Sequence, residues 1–180
     1  MYNNFQYRLS KSQKEEIAQN LMDILQKNAN ISELTTTFVG NWLLTGPEEK
    51  RKAFFDVWDI VLKNYLPVET PILFRACQSI SNNRISSFTG RIECASRFGN
   101  GKGYLLICDT KEQFEFEKKY YTQGNYRHTF FPLVSVLKKV RDSNKSKFSD
   151  RIWEFIGEDE YIMRINLGNI NILKWVKINT

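Results

Sequence analysis

The sequence predicts an α+β fold in a single domain, with an N-terminal helical layer over residues 1–66 and a strand-rich core containing a mixed sheet over residues 67–180. Three observations predict it. Apolar residues recur at the helical period of 3.6 as far as Tyr65 and stop at Leu66-Pro67. Beyond that point they gather into short runs punctuated by Gly, Asn and Pro, the pattern of strands and turns. The length of 180 residues falls in the range of about 100–200 residues typical of one domain.

Ser12 followed by Glu15 has the spacing of a capping box, and Ile17, Leu21, Ile24 and Leu25 line one face, which predicts a helix over 12–28. A second helix is expected over 32–44, striped by Leu34, Phe38, Val39 and Trp42, although three threonines lower its propensity. Pro47 suits a first helical turn, and Glu48 and Glu49 suit its positive dipole end, so a third helix is expected to start there. Its apolar stripe runs through Phe54, Val57, Trp58, Val61, Leu62 and Tyr65. Three one-sided helices need a surface to cover, and a sheet built from the remaining residues would supply it.

Residues 71–78 read as a strand whose apolar run is interrupted by Arg75. A guanidinium there is either a surface residue or a fixed anion clamp, because burying it without a counter-charge is expensive. Residues 84–90 form a hydroxyl-rich strand, 91–98 a short helix ended by Gly99, and 101–108 the clearest strand, left at Asp109. A Lys/Glu-rich helix follows over 111–121, then an aromatic segment over 126–135, a helix or strand over 134–140, and a polar connection over 141–150. Residues 156–165 and 169–178 read as two strands joined by a Gly/Asn turn.

Composition narrows the function classes. The length supports a core without disulfides or a structural metal, which excludes a zinc finger, a knottin and a two-domain enzyme. Cys77, Cys94 and Cys108 have only His128 to join them, so no compact zinc pattern can be assembled, and a reduced, cytoplasmic setting is expected. No stretch reaches the roughly 18 apolar residues of a membrane span, and the first residues lack the apolar run of a signal peptide. The formal charge of +6 is concentrated between residues 111 and 147, where nine Lys or Arg meet four Asp or Glu. The excess suits an acidic surface, a nucleic acid or an anionic small molecule as partner, and the stretch itself is either a solvated face or one that faces such a partner.

Three sites combine into a constellation: Arg75 on the first strand, Ser87-Phe88-Thr89 on the next, and Glu158-Asp159-Glu160 opening a late strand. This order resembles the mono-ADP-ribosyltransferase family of toxin and phage type, whose pattern is a strand Arg, a Ser-Thr-Ser-like strand and a Glu-x-Glu strand. The context is similar as well, since Ala95-Ser96-Arg97-Phe98 stands where relatives carry an Ala-x-x-Phe helix. The resemblance covers residues 71–178 and implies an ADP-ribosyltransferase-like core. It further implies NAD as co-substrate, no metal, and a macromolecular acceptor, protein (arginine among its side chains) ahead of nucleic acid. In it, Arg75 would clamp the NAD phosphates and Ser87 would orient the catalytic Glu160, with Thr89 in the place of the last serine. Ala76 stands where many relatives have the Gly that meets the nicotinamide amide. Glu158 would activate the acceptor, and the ring-stacking aromatic would be one of Phe114, Phe116, Tyr120 and Tyr121. The implied setting is the cytoplasm, of its own cell or of a host.

The chemistry explains these residue types without the name. Breaking a nicotinamide glycosidic bond develops oxocarbenium character at the ribose C1, which a fixed carboxylate such as Glu160 can stabilise. A diphosphate calls for rigid cationic donors, which Arg75 supplies. Glu158, two positions along an extended strand, would share the face of Glu160, and Asp159 would point away. Two other readings compete. A metal-dependent nuclease would use Asp109 and the Glu117-Lys118-Lys119 segment, and a non-enzymatic module would bind nucleic acid or a partner through the basic, aromatic 111–147 stretch.

Overall fold

The computed structural model describes residues 7–99, 103–121, 124–143 and 151–175. They divide into two compact units, one of residues up to 61 together with 135–153, the other of residues 62–134 together with 154 onward.

The first unit is helical. Helix α1 (Lys11–Lys27) starts one turn-position earlier than its apolar stripe suggests. Ser10, not Ser12, is the cap: its Oγ accepts from the Gln13 backbone N–H, and the Gln13 side chain returns to the Ser10 N–H. Ser10 keeps extended dihedrals (φ −66°, ψ 164°), which leaves Ser12 inside the first turn, where its hydroxyl cannot cap. Helix α2 (Glu33–Leu44) is capped by Ser32 as expected. Pro47, Glu48 and Glu49 form a separate turn closed by Glu49 N–H to Gly46 O, so α3 (Lys52–Asn64) begins after them, a correction to the expected start.

Phe38, Trp42, Phe54 and Trp58 are buried and meet edge-on or tilted at 5.4–5.9 Å between ring centroids. Burying a side chain of this kind contributes about 1.5–3 kcal/mol, so each of the four rings adds measurably to the cohesion of the unit. Helix α6 (Val134–Asp142) adds Val136, Leu137 and Val140 to the buried set, and Lys139 donates to Asn28 O at the end of α1. The open choice between helix and strand over 134–140 is thereby settled as helix.

The second unit holds a six-stranded sheet: β1 (Ile72–Cys77), β2 (Ile85–Thr89), β3 (Gly103–Asp109), β4 (Phe130–Pro132), β5 (Glu160–Arg164) and β6 (Asn171–Trp175), in the order β4-β5-β2-β1-β3-β6. Helix α4 (Ile92–Gly99) connects β2 to β3, α5 (Thr110–Tyr120) follows β3, and α7 (Ile152–Gly157) leads into β5. Every neighbouring pair among the described residues is antiparallel, which corrects the expected mixed sheet. The reason lies in the crossover through α4: β2 and β3 run parallel, but β1 lies between them, antiparallel to both.

Residues 156–165 are not one strand. Ile152 and Phe155 are buried three positions apart, a helical spacing, so Ile156 and Gly157 finish α7, and Glu158-Asp159 turn the chain into β5. Strand β6 does not pair with β5, whose two sides are taken by β4 and β2. It adds to the free side of β3. One face of the sheet builds a core from Leu73, Phe88, Leu106, Cys108, Phe130 and Met163. The other carries Phe74, Ser87, Thr89, Glu160 and Ile162, as the register Phe74↔Thr89↔Glu160 and Ser87↔Ile162 requires. No helix among the described residues is long and apolar enough to cross a membrane.

Candidate active site at the β1–β2 seam

Strands β1 and β2 are paired at one position, Phe74 opposite Thr89, whereas β1 follows β3 from Ile72↔Asp109 to Cys77↔Tyr104 and β2 follows β5 along its whole length. The sheet therefore has an open seam beside Arg75. By strand alternation Arg75 belongs with Leu73 and Cys77, on the face opposite Ser87 and Glu160. Its guanidinium nonetheless reaches β2, because the seam leaves the in-plane carbonyl of Ser87 without a ladder partner: Arg75 Nη1 donates to Ser87 O at 2.7 Å.

On its own face, Ser87 Oγ donates to Glu160 Oε1 at 2.5 Å. The three residues thus form a chain, Arg75 to the Ser87 backbone and the Ser87 side chain to Glu160. Glu160 is 8% exposed and sits at the start of a strand with neighbours on both sides, its backbone opposite Thr89 and its carbonyl accepting from Leu133 N–H at 2.9 Å. Burial pushes the Arg75 pKa down from its ordinary value, and the Arg84 cation works the same way, while Cys77 and the Glu160 carboxylate oppose them. A guanidinium remains charged through such shifts. Among the described residues the bond to Ser87 is the one hydrogen bond of its guanidinium.

The chain matches no family model, and no curated protein and no solved structure matches it.

Thr89 is buried, and its hydroxyl is engaged within the chain: it donates to Glu158 O at 2.5 Å and accepts from Arg91 N–H at 3.0 Å. With Gly90 N–H to Asp159 O and Arg91 Nη1 to Gly157 O, the segment 89–91 pins the whole 157–159 turn. Glu158 therefore stands in a turn and not on a strand, so the expected sharing of a strand face with Glu160 does not arise. Asp159 adopts the left-handed region (φ 48°), which Asp enters more readily than most residues with a side chain, and reverses the chain directly before Glu160. Burial raises the Asp159 pKa, with Glu69 adding to the effect and Arg91 opposing it, and Tyr161 beside it is pushed up to about 12 by burial, then by Asp159 and Glu69.

Gly90, Arg91 and Asp159 were not legible as site residues. The one available signal was a Gly closing the hydroxyl-rich strand, and it has a steric reason: a Cβ at residue 90 would overlap Asp159 Oδ2. Ala76 lies half-buried on the Ser87–Glu160 face, opposite Leu105, and Ala95 is buried in α4 as the expected helix requires. Of the four stacking candidates, Phe114 is buried under Lys118, while Phe116 and Tyr120 are exposed and pair with each other at 4.6 Å.

The acids of the nuclease reading have other tasks. Asp109 caps α5 by accepting from Lys111 N–H, and Glu117 is fully buried, accepting from the backbone N–H groups of Arg127 and His128 with His128 Nδ1 at 3.1 Å. Among the described residues no three His, Cys, Asp or Glu side chains gather as metal ligands. The basic stretch is divided between units: Lys111, Lys118, Lys119 and Arg127 belong to the sheet unit, Lys138, Lys139 and Arg141 to the helical one. Lys145 and Lys147 lie outside the described residues.

Proposed function

We propose that this chain is an NAD-dependent mono-ADP-ribosyltransferase that passes ADP-ribose to a macromolecular acceptor, protein ahead of nucleic acid, and releases nicotinamide. One observation carries the reading: the hydrogen bond from Ser87 Oγ to Glu160 Oε1, with Arg75 on the carbonyl of the same serine. A buried carboxylate whose direction is set by a hydroxyl suits a charge that develops at one place, and electrostatic stabilisation depends on such preorganisation. In the reaction the bond between ribose C1 and the nicotinamide nitrogen breaks, its electron pair leaving with neutral nicotinamide. Glu160 faces the positive charge that develops on C1, the Arg75 guanidinium holds the diphosphate, and the acceptor nucleophile forms the new bond to C1 while losing a proton. Glu158, two positions before Glu160 in the turn that Thr89 pins, is assigned that proton or the orientation of the acceptor.

The test incubates the protein with labelled NAD and a whole-cell extract, comparing the native chain with Glu160→Gln and Arg75→Ala. Labelling that falls by at least about 10²-fold in both variants is expected from the loss of an oriented transition-state group. Transfer unchanged in both removes the proposed site, and absence of NAD binding together with absence of labelling removes the function. Glu158→Gln is expected to suppress transfer while keeping more NAD hydrolysis than Glu160→Gln.

A second reading, non-enzymatic binding of nucleic acid, is favoured by the exposed rings of Phe116 and Tyr120, with the Lys119 ammonium 5.1 Å from the Tyr120 ring centre. It requires salt-sensitive binding that survives Glu160→Gln, with no NAD turnover in either form.

A further inference from the structure

The helical unit contains a second concentration of charge that the proposed transfer does not use. A cleft of about 450 Å³ is lined by Tyr7, Arg8, Lys14, Arg51, Lys52 and Asp56 among others. Four cations share it with one carboxylate. Asp56 is taken by both lysines, with Lys14 Nζ at 2.8 Å and Lys52 Nζ at 2.9 Å. Its pKa is lowered because these two bonds outweigh its burial. Arg8 and Arg51 are exposed and have no acidic partner among the described residues.

The surrounding backbone adds to the imbalance. Lys14 closes the first turn of α1 and Lys52 opens α3, so both belong to helix starts, the positive ends of the peptide dipoles. Neither helix has an acid in its first turn. Like charges collected in one concavity repel, and among the described lining residues Asp56 is the one carboxylate. An anion of about three charges would balance the lining.

We propose that this cleft binds several phosphate groups at once, carried either by a free polyphosphate of the nucleotide kind or by the phosphodiesters of a nucleic-acid strand. Two guanidiniums present planar forks that match phosphate oxygens, and the lysines supply point charges. The volume lies within the range of about 300–1,000 Å³ of small-ligand sites. A single carboxylate would leave most of the positive excess unbalanced, which is why phosphate is the better occupant.

The test is calorimetric titration of the full chain with tripolyphosphate at low salt, together with fluorescence anisotropy of a short and a long single-stranded oligonucleotide. Arg8→Gln/Arg51→Gln is compared with Lys118→Gln/Lys119→Gln, which removes the same charge from α5 in the other unit. Thermal melts check that both variants fold. Binding by the native chain that weakens at least about tenfold, or 1.4 kcal/mol, in the arginine pair and changes little in the lysine pair is the expected result. The arginine pair is expected to weaken tripolyphosphate binding by the same factor in an Arg75→Ala background, which separates this cleft from the NAD reading. Tighter binding of the long oligonucleotide than of the short one assigns a strand as the source, and equal affinity assigns a free polyphosphate. Absence of tripolyphosphate binding, or equal losses in the two double variants, overturns the proposal.

Discussion

Ser87 Oγ lies 2.5 Å from Glu160 Oε1 although the two residues stand 73 positions apart in the chain. The bond joins neighbouring strands one pair of positions out of register, since Ser87 is opposite Ile162 and Glu160 is opposite Thr89. Removing the hydroxyl by Ser87→Ala takes away a charge-assisted bond at a buried acid. Stability is expected to fall by about 1–2 kcal/mol, and NAD-dependent labelling by about 10²-fold as Glu160 loses its fixed direction. Urea denaturation and the labelled-NAD assay measure the two separately. A stability loss with unchanged labelling per folded molecule makes Ser87 structural only.

Gly90 and Asp159 make a second pair. A Cβ at residue 90 overlaps Asp159 Oδ2, and Asp159 Cγ at 3.3 Å and Tyr161 Cε2 at 3.4 Å limit where the carboxylate can go. Gly90→Ala is therefore expected to cost about 1–2 kcal/mol as an overpacked site. Asp159→Gly removes the obstacle and suits φ 48°, so the double variant should recover most of the loss. A double-mutant cycle in denaturant reads the coupling, and additivity within about 0.5 kcal/mol would mean that the two do not touch energetically.

The raised pKa of Asp159 gives a pH signature. Its folded form holds the proton more tightly than the unfolded chain does, mainly because of burial, so the folded state binds more protons between the two values. Stability contributed by the protonated acid is complete below about pH 3.9 and is lost as pH rises through the raised folded value. Asp159→Asn keeps the shape, tolerates the left-handed backbone and never ionises. Thermal melts from about pH 4 to pH 8 should show the variant gaining on the native chain as pH rises, with the two converging at the acid end. Parallel curves would show that the carboxyl is not perturbed.

Glu117 separates the transferase from the nuclease reading. As a buried acceptor for Arg127 and His128 N–H groups it holds the segment leading into β4, and Glu117→Gln turns an amide donor toward donors. A stability loss of about 1–3 kcal/mol is expected, with labelling per folded molecule unchanged. Divalent-cation-dependent cleavage of nucleic acid that disappears in this variant would instead favour the nuclease.

Much of the local structure was legible because it depends on neighbours in the chain. The stripe from Phe54 to Tyr65, the Ser32 cap, the strand around Arg75 and the short helix after Gly90 follow from periodicity and capping chemistry. Errors arose where two local signals compete at close spacing. Ser10 and Ser12 both precede an acid or amide three residues on, and only the backbone conformation at Ser10 decides between them. Glu158 reads as extended by composition, yet the buried spacing of Ile152 and Phe155 carries the helix to Gly157 and leaves Glu158 in a turn.

By itself, the sequence determined the α+β class, the order of most elements and the residue types that suit diphosphate and oxocarbenium chemistry. Tertiary structure alone decided that β2 lies between β1 and β5, that β1 and β2 part beyond Phe74↔Thr89, and that Arg75 crosses that seam to the carbonyl of the serine whose hydroxyl holds Glu160. The physical reason is that alternation along a strand specifies which side chains share a face and says nothing about which strand lies alongside. Neighbour choice and register come from packing the two faces of the sheet at once, which is a property of the whole unit.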